Sequence, residues 1–138
     1  MNETSFSRWL CGHFKDQGLF AQRLEVTTGA GIPDLAVLGI KRTPPDDWDR
    51  DHYSLDPYTF WIELKWKTKH IRPEQYVWGI KAKNVGVDVN YVVGYEDTFQ
   101  LYSLDNAQKM TKSFKLTQLI YEGPRNKDNI SDLIEHLQ

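Results

Sequence analysis

Apolar residues recur at Phe6, Trp9, Leu10 and Phe14. This is the three-and-four spacing of a helix buried along one face, so residues 4–15 are expected to form an amphipathic helix, followed by Gly18. The period then changes. Across 20–26, Phe20, Gln22, Leu24 and Val26 fall on one face and Ala21, Arg23 and Glu25 on the other, the alternation of a half-buried strand. The turn TTGAG separates it from 34–40, a nearly continuous apolar run that reads as a strand covered on both sides. The two strands are close enough in sequence to pair as a hairpin. Residues 41–58 are rich in Pro and Asp, carry no period and read as a long surface loop.

Strand character resumes in TFWIELKW, 59–66. Pro73 and Glu74 then open a helix over 73–84, with Gly86 as its left-handed cap. Strands at 89–96 and 98–103 meet in a tight turn at Glu96 and Asp97, and 104–109 read as a short helix. Ile130, Leu133, Ile134 and Leu137 predict a final amphipathic helix capped by Asp128 or Asn129. The order predicts an α/β fold, one central mixed sheet flanked by helices, in a single domain over 1–138. Its core is expected at about 3–103, with 41–58 inserted and 104–138 as a C-terminal extension.

Bulk properties narrow the function only a little. At 138 residues and a net charge of −2, the chain has no global basic field, although a local basic stripe is enough to bind phosphates. Cys11 is the sole cysteine, so no internal disulfide and no Cys/His zinc cluster is expected. No apolar run approaches a membrane span and the N-terminus lacks signal-peptide character, which makes a reducing cytoplasm the expected compartment and a membrane partner unexpected.

Two short stretches carry the chemistry. In GIPDLAVL, Asp34 stands between Pro33 and an apolar strand, as either a turn residue or an acid held at a strand end for binding. In WIELK, Glu63 and Lys65 project from one strand face while Ile62 and Leu64 point to the other. Charges inside an apolar strand are costly unless partnered. Alone, E-x-K is expected about every 250–300 positions by chance, and an exposed ion pair would explain it. Together the stretches are more specific, because adjacent strands bring Asp34 beside Glu63. Two converging carboxylates repel unless a cation lies between them. Oxygen ligands without Cys or His indicate Mg²⁺ or Mn²⁺, and Lys65 could hold a water or neutralise charge on a phosphoryl oxygen. The matching substrate is a phosphodiester.

Gly31-Ile-Pro33-Asp34, Glu63-Leu-Lys65 and a following helix with Gln75 resemble the PD-(D/E)XK nuclease superfamily, especially its virus-type replication-repair nucleases (VRR-NUC). The resemblance implies a restriction-endonuclease-like αβββαβ core and a metal-dependent endonuclease acting on DNA in replication, recombination or repair. It also implies that Asp34, Glu63 and the backbone carbonyl of Leu64 ligate the metal. Lys65 would position water, and Gln75 would orient that lysine or a phosphate. Glu3, in the first helix, stands where many members carry a further acid. The insertion at 41–58 departs from the pattern. Branched DNA such as a Holliday junction, cut by a homodimer, is the expected substrate, without a small-molecule cofactor; a phage-encoded chain would work in its host's cytoplasm.

Lys67, Lys69 and Arg72 follow the E-x-K strand, Lys81 and Lys83 lie on the next helix, and Arg23 on the first strand; together they are expected to track a phosphate backbone, although solvated faces would also explain them. Glu25 is a candidate for the metal shell, with a surface ion pair as its plainer role. Trp66 could stack on bases, whereas Trp78 reads as core. His13 and His70 lack a nucleophile to pair with. The competing function is a binding module that keeps the nuclease fold without cutting. Sequence-specific restriction would need a recognition element that the tail is too short to supply.

Overall fold

Asn2 starts the first helix, α1 (Glu3–Asp16): its side chain accepts from the Ser5 N–H while the Ser5 hydroxyl accepts from the Asn2 N–H, a reciprocal cap. Phe6, Leu10 and Phe14 form its fully buried stripe. In the computed structural model, which describes residues 1–24, 31–43 and 54–137, the strands β1 (Phe20–Arg23), β2 (Leu35–Thr43) and β3 (Ser54–Trp66) follow. After β4 (His70–Ile71) come α2 (Pro73–Asn84), β5 (Val89–Gly94), β6 (Thr98–Ser103), β7 (Gln108–Lys109), β8 (Phe114–Lys115) and β9 (Gln118–Pro124). A 3₁₀ turn (Lys127–Asn129) leads into α3 (Ile130–Leu137).

The fold is mixed α/β. One six-stranded sheet runs β1-β2-β3-β5-β6-β9, and β4-β8-β7 form a small second sheet. In the large sheet only β3 and β5 are parallel, joined by the crossover through α2, and the other pairs are antiparallel. Helices cover both faces. Phe6, Leu10 and Phe14 of α1 and Ile130 and Leu133 of α3 pack with Leu35, Val37, Ile62 and Leu64. On the other side, Ala82 of α2 shares a core with Tyr91, Val93, Tyr102 and Leu116. No helix among the described residues is long and apolar enough to cross a membrane.

The expected helices at both ends, the β1–β2 hairpin, α2 and the β5–β6 turn are all present. Several expectations change. In β1 the exposed face is that of Phe20, 62% exposed, and the buried one that of Ala21, because α1 covers that side; Arg23 therefore faces the helix rather than solvent. In β2, Leu35 to Val37 are covered on both sides but Leu38 and Ile40 are exposed. Residues 41–43 and 54–58, expected as loop, extend the β2–β3 ladder, with Ile40 opposite Pro57 and Arg42 opposite Leu55. Pro57 is tolerated there because β3 meets β5 only from Trp61 onward, so its missing N–H faces a stretch with one open side. The rest of that segment, 44–53, lies outside the described residues, as does Glu25.

The tail differs most. Instead of a helix over 104–109, a turn with Asn106 at φ 60° leads into β7, and β9 adds the sixth strand of the main sheet. The last helix is preceded by the 3₁₀ turn, and the cap is Asn126, whose side chain accepts from the Asn129 N–H at 3.0 Å.

One contact sets how closely α2 approaches the sheet. Tyr91 is fully buried and its hydroxyl has no hydrogen-bond partner among the described residues. It lies against Gly79, where a Cβ would overlap the hydroxyl and stand 2.8 Å from Leu104 Cδ2. Glycine in a helix interior costs about 1 kcal/mol relative to alanine, so the close packing is its reason. Gly79→Ala is expected to lower stability by roughly 1–3 kcal/mol despite the better helix former. Tyr91→Phe should be neutral or stabilising, since it removes an unsatisfied buried hydroxyl. Combined with Tyr91→Phe, the Gly79→Ala loss should shrink, which urea unfolding of the single and double variants measures.

Candidate metal centre

The β2–β3 register pairs Leu35 with Ile62, so Asp34, one residue before β2, stands beside Glu63. Asp34 is held at both ends: its Oδ2 accepts the Leu64 N–H at 2.8 Å, and its backbone carbonyl accepts the Leu24 N–H at 2.8 Å. Continued by one more residue, the register places Pro33 opposite Leu64. Proline has no N–H to donate to the Leu64 carbonyl, and the N–H and C=O of one strand residue point to the same edge. The Leu64 carbonyl is thus directed toward the edge where Asp34 sits.

Glu63 is 2% exposed. Its Oε1 accepts from Gln75 Nε2 at 2.7 Å, and Gln75 Oε1 in turn accepts the Arg72 N–H at 2.8 Å. That second bond also satisfies the backbone where α2 begins. The side chain that Gln75 contacts here is thus Glu63, where the resemblance implied Lys65 or a phosphate. Gly31 brings the loop before Asp34 against this same turn, with φ 76° and no room for a Cβ beside the Glu74 carbonyl. Glu3 enters from the first turn of α1. Carboxylate oxygens of Glu3, Asp34 and Glu63 lie within 4.8 Å of one another.

The electrostatics follow from this crowding. Burial first, then the negative field of Asp34, pushes the Glu63 carboxyl up to about 9, against the attraction of Lys65. Burial also raises Glu3, opposed by Lys65 and Arg72. Lys65 is itself 8% exposed, on the same strand face as Glu63. The N-termini of α1 and α2 both lie at this end of the sheet and add partial positive charge. The donor set, carboxylates plus a carbonyl, fits a hard divalent ion such as Mg²⁺ or Mn²⁺, which would offset both the burial of these acids and the repulsion that adds to it.

The basic residues divide. Arg23 lines a cleft of about 110 Å³ with Glu3, Thr4, Ser7, Leu24 and Asp34. Arg72 begins α2 beside the acids and pairs with Glu74 at 3.2 Å. Lys67, in a left-handed conformation, is paired with Glu96 at 2.8 Å, and Lys69 lies over the Tyr102 ring. Lys81 is exposed six residues along α2 from Gln75, about 9 Å down the axis. Lys83 is not brought to the acids: it pairs with Asp105 and lines a cavity of about 550 Å³ with Thr59 and Trp61, toward the opposite end of β3.

Trp66 packs on Phe6, and the Arg125 guanidinium lies 5.4 Å from the Trp9 ring and 5.7 Å from that of Trp66. Trp78, expected as core, is half-buried and packs with Trp61 against the edge of the second core. His13 lies against Trp9 and His70 bonds Ser113; neither joins the acids. Ser7 and Arg125 escaped sequence reasoning. Ser7 stands one helical turn beyond Glu3, an available signal; Arg125 had none, since the tail's course decides where it falls. No protein-family model matches the chain, and no curated protein matches it.

Proposed function

We propose that the protein is a divalent-metal-dependent nuclease that hydrolyses DNA phosphodiester bonds, with branched DNA as its preferred substrate. The observation that carries this reading is the meeting of Glu63, Asp34 and Glu3 at one strand end, with Lys65 beside them on the face of Glu63. Among the described residues, the succession α1, β1, β2, β3, α2, β5, interrupted only by the two-residue β4, supports assigning the αβββαβ core of PD-(D/E)XK nucleases.

Asp34, Glu63 and the Leu64 carbonyl would hold the ion, with Glu3 as a further acid. Bound there, the ion supplies Lewis acidity toward water and the phosphoryl oxygens. Lys65 places its side chain beside the acids, where it would hold the attacking water and offset charge developing on phosphorus. Gln75 fixes the orientation of Glu63, and the two helix N-termini favour the incoming phosphate anion. A homodimer would offer two such centres to the matched strands of a four-way junction.

The test offers linear, nicked, single-stranded and four-way DNA with Mg²⁺, Mn²⁺ or EDTA. Cutting is expected only with metal and fastest on the four-way substrate. Asp34→Ala and Lys65→Ala should each lose roughly 10²–10³-fold or more in rate while retaining the wild-type circular dichroism. Binding of DNA without cutting in either metal would replace the nuclease reading with that of a binding module.

A further inference from the structure

The face of α1 that turns toward β1 carries a polar line beside its apolar stripe. Glu3, Ser7 and Cys11 are spaced four apart, so they stand above one another on the helix. Cys11 Sγ reaches the Ala21 carbonyl at 3.6 Å, and Ser7 Oγ accepts from Arg23 Nε at 3.2 Å. Four helical residues advance about 6 Å and two strand residues about 6.8 Å, so the two contacts are successive steps of one packing register. Ser7 is 6% exposed, a buried hydroxyl on a packed helix face, and Arg23 is the group it meets. The arginine is thereby fixed at the cleft it shares with Glu3 and Asp34. The Leu24–Asp34 backbone bond locks this edge of the sheet to the acid strand.

Resting on the nuclease reading, we propose that Arg23 contacts a backbone phosphate of the substrate strand next to the metal centre, and that Ser7 is the positioning residue that aims it. Among the described residues Arg23 is hydrogen-bonded through Nε, and the fork of its terminal nitrogens suits two oxygens of one phosphate. Lys65 acts on both Glu3 and Glu63, and Arg72 on Glu3, so cations other than Arg23 already face these two acids. The class of ligand is a phosphodiester lying across the cleft, and the residue's contribution is binding and register rather than bond cleavage.

The experiment measures four-way DNA binding by fluorescence anisotropy in Ca²⁺ at several salt concentrations, and cleavage in Mg²⁺ separately. Arg23→Gln keeps a donor for Ser7 but removes the charge, so the variant has the means to fold as the wild type does; melting curves check this. It should lower the slope of log K against log salt by about one phosphate contact and raise KM about tenfold. Arg23→Lys should restore the slope but not the full KM. Ser7→Ala should raise KM about threefold with kcat within about twofold, and Ser7→Thr should recover it. A wild-type slope and KM in Arg23→Gln overturn the inference while leaving the nuclease reading intact. Absence of cutting by the wild type overturns that reading, and the salt slope still decides whether Arg23 meets a phosphate. Equal effects on KM in Ser7→Ala and Ser7→Thr would refute positioning by the hydroxyl.

Discussion

Glu63→Gln is expected to raise the stability of the metal-free protein at pH 8 while abolishing its response to metal. The Glu63 carboxyl is pushed up from 4.5 to about 9, chiefly by burial and then by Asp34. Between those values the folded state holds a proton that the unfolded chain releases. Stability therefore falls as pH rises through this window, and is complete only below the unfolded value. Glutamine keeps the oxygen that accepts from Gln75 and cannot ionise in the unfolded chain, so the variant escapes the loss. Wild type and variant should melt together at pH 4 and diverge above pH 5. The gap at pH 8 should be on the order of 2 kcal/mol, or roughly 5–10 °C.

Adding Mn²⁺ should narrow this gap. A ligand that binds only the folded state stabilises it by mass action, and the wild type should gain several degrees where the variant gains none. Cleavage by the variant should fall at least about 10²-fold. Calorimetry across pH, with and without Mn²⁺, reads all of this. A variant that melts below wild type at pH 8, or gains as much from Mn²⁺, would remove Glu63 from the metal centre.

Gly31→Ala should damage both fold and site, and Gly86→Ala provides its control. Both glycines have positive φ, 76° and 85°, so each alanine carries a backbone penalty of about 1–2 kcal/mol. Around Gly86 there is open space. At Gly31 the new Cβ would collide with the Glu74 carbonyl and stand 2.9 Å from the Gln75 nitrogen, backbone atoms of the helical turn that orients Glu63. Relief requires the loop before Asp34 and the start of α2 to separate. Gly31→Ala should lose about 3 kcal/mol or more, against about 1–2 for Gly86→Ala, and cleavage by its folded fraction should drop at least about tenfold. Urea unfolding and single-turnover rates distinguish the two. Equal losses would show that the close approach does not matter.

Much of the scaffold was legible because its signals are local. The Phe6–Leu10–Phe14 stripe, Pro73 at the start of α2 and Gly86 after its end act within one or two helical turns, and each stands where expected. The pairing of Asp34 beside Glu63 was also readable, since strands joined by a modest connection usually neighbour each other. Where signals were long-range, reading failed. Alternation in β1 shows a period but not which face α1 covers, and it is the face of Ala21 and Arg23, not that of Phe20, that turns to the helix. The Pro- and Asp-rich composition around Pro57 masked a ladder held by the partner strand. Lys83 looked equivalent to its neighbours until the length of α2 carried it from the acids to Asp105.

The order of residues alone was enough for the periods of the elements, the turns between them and the chemical inventory: three acids, a lysine and a glutamine able to serve a hard cation. These follow from side-chain spacing and backbone preference, which act over a few residues. Packing in three dimensions was needed to bring Glu3 to Asp34 and Glu63, to set Gln75 on Glu63 and to seat Arg23 on Ser7. Those meetings join residues 12 to 60 positions apart across helix-on-sheet contacts, where a shift of one residue turns each side chain to another face.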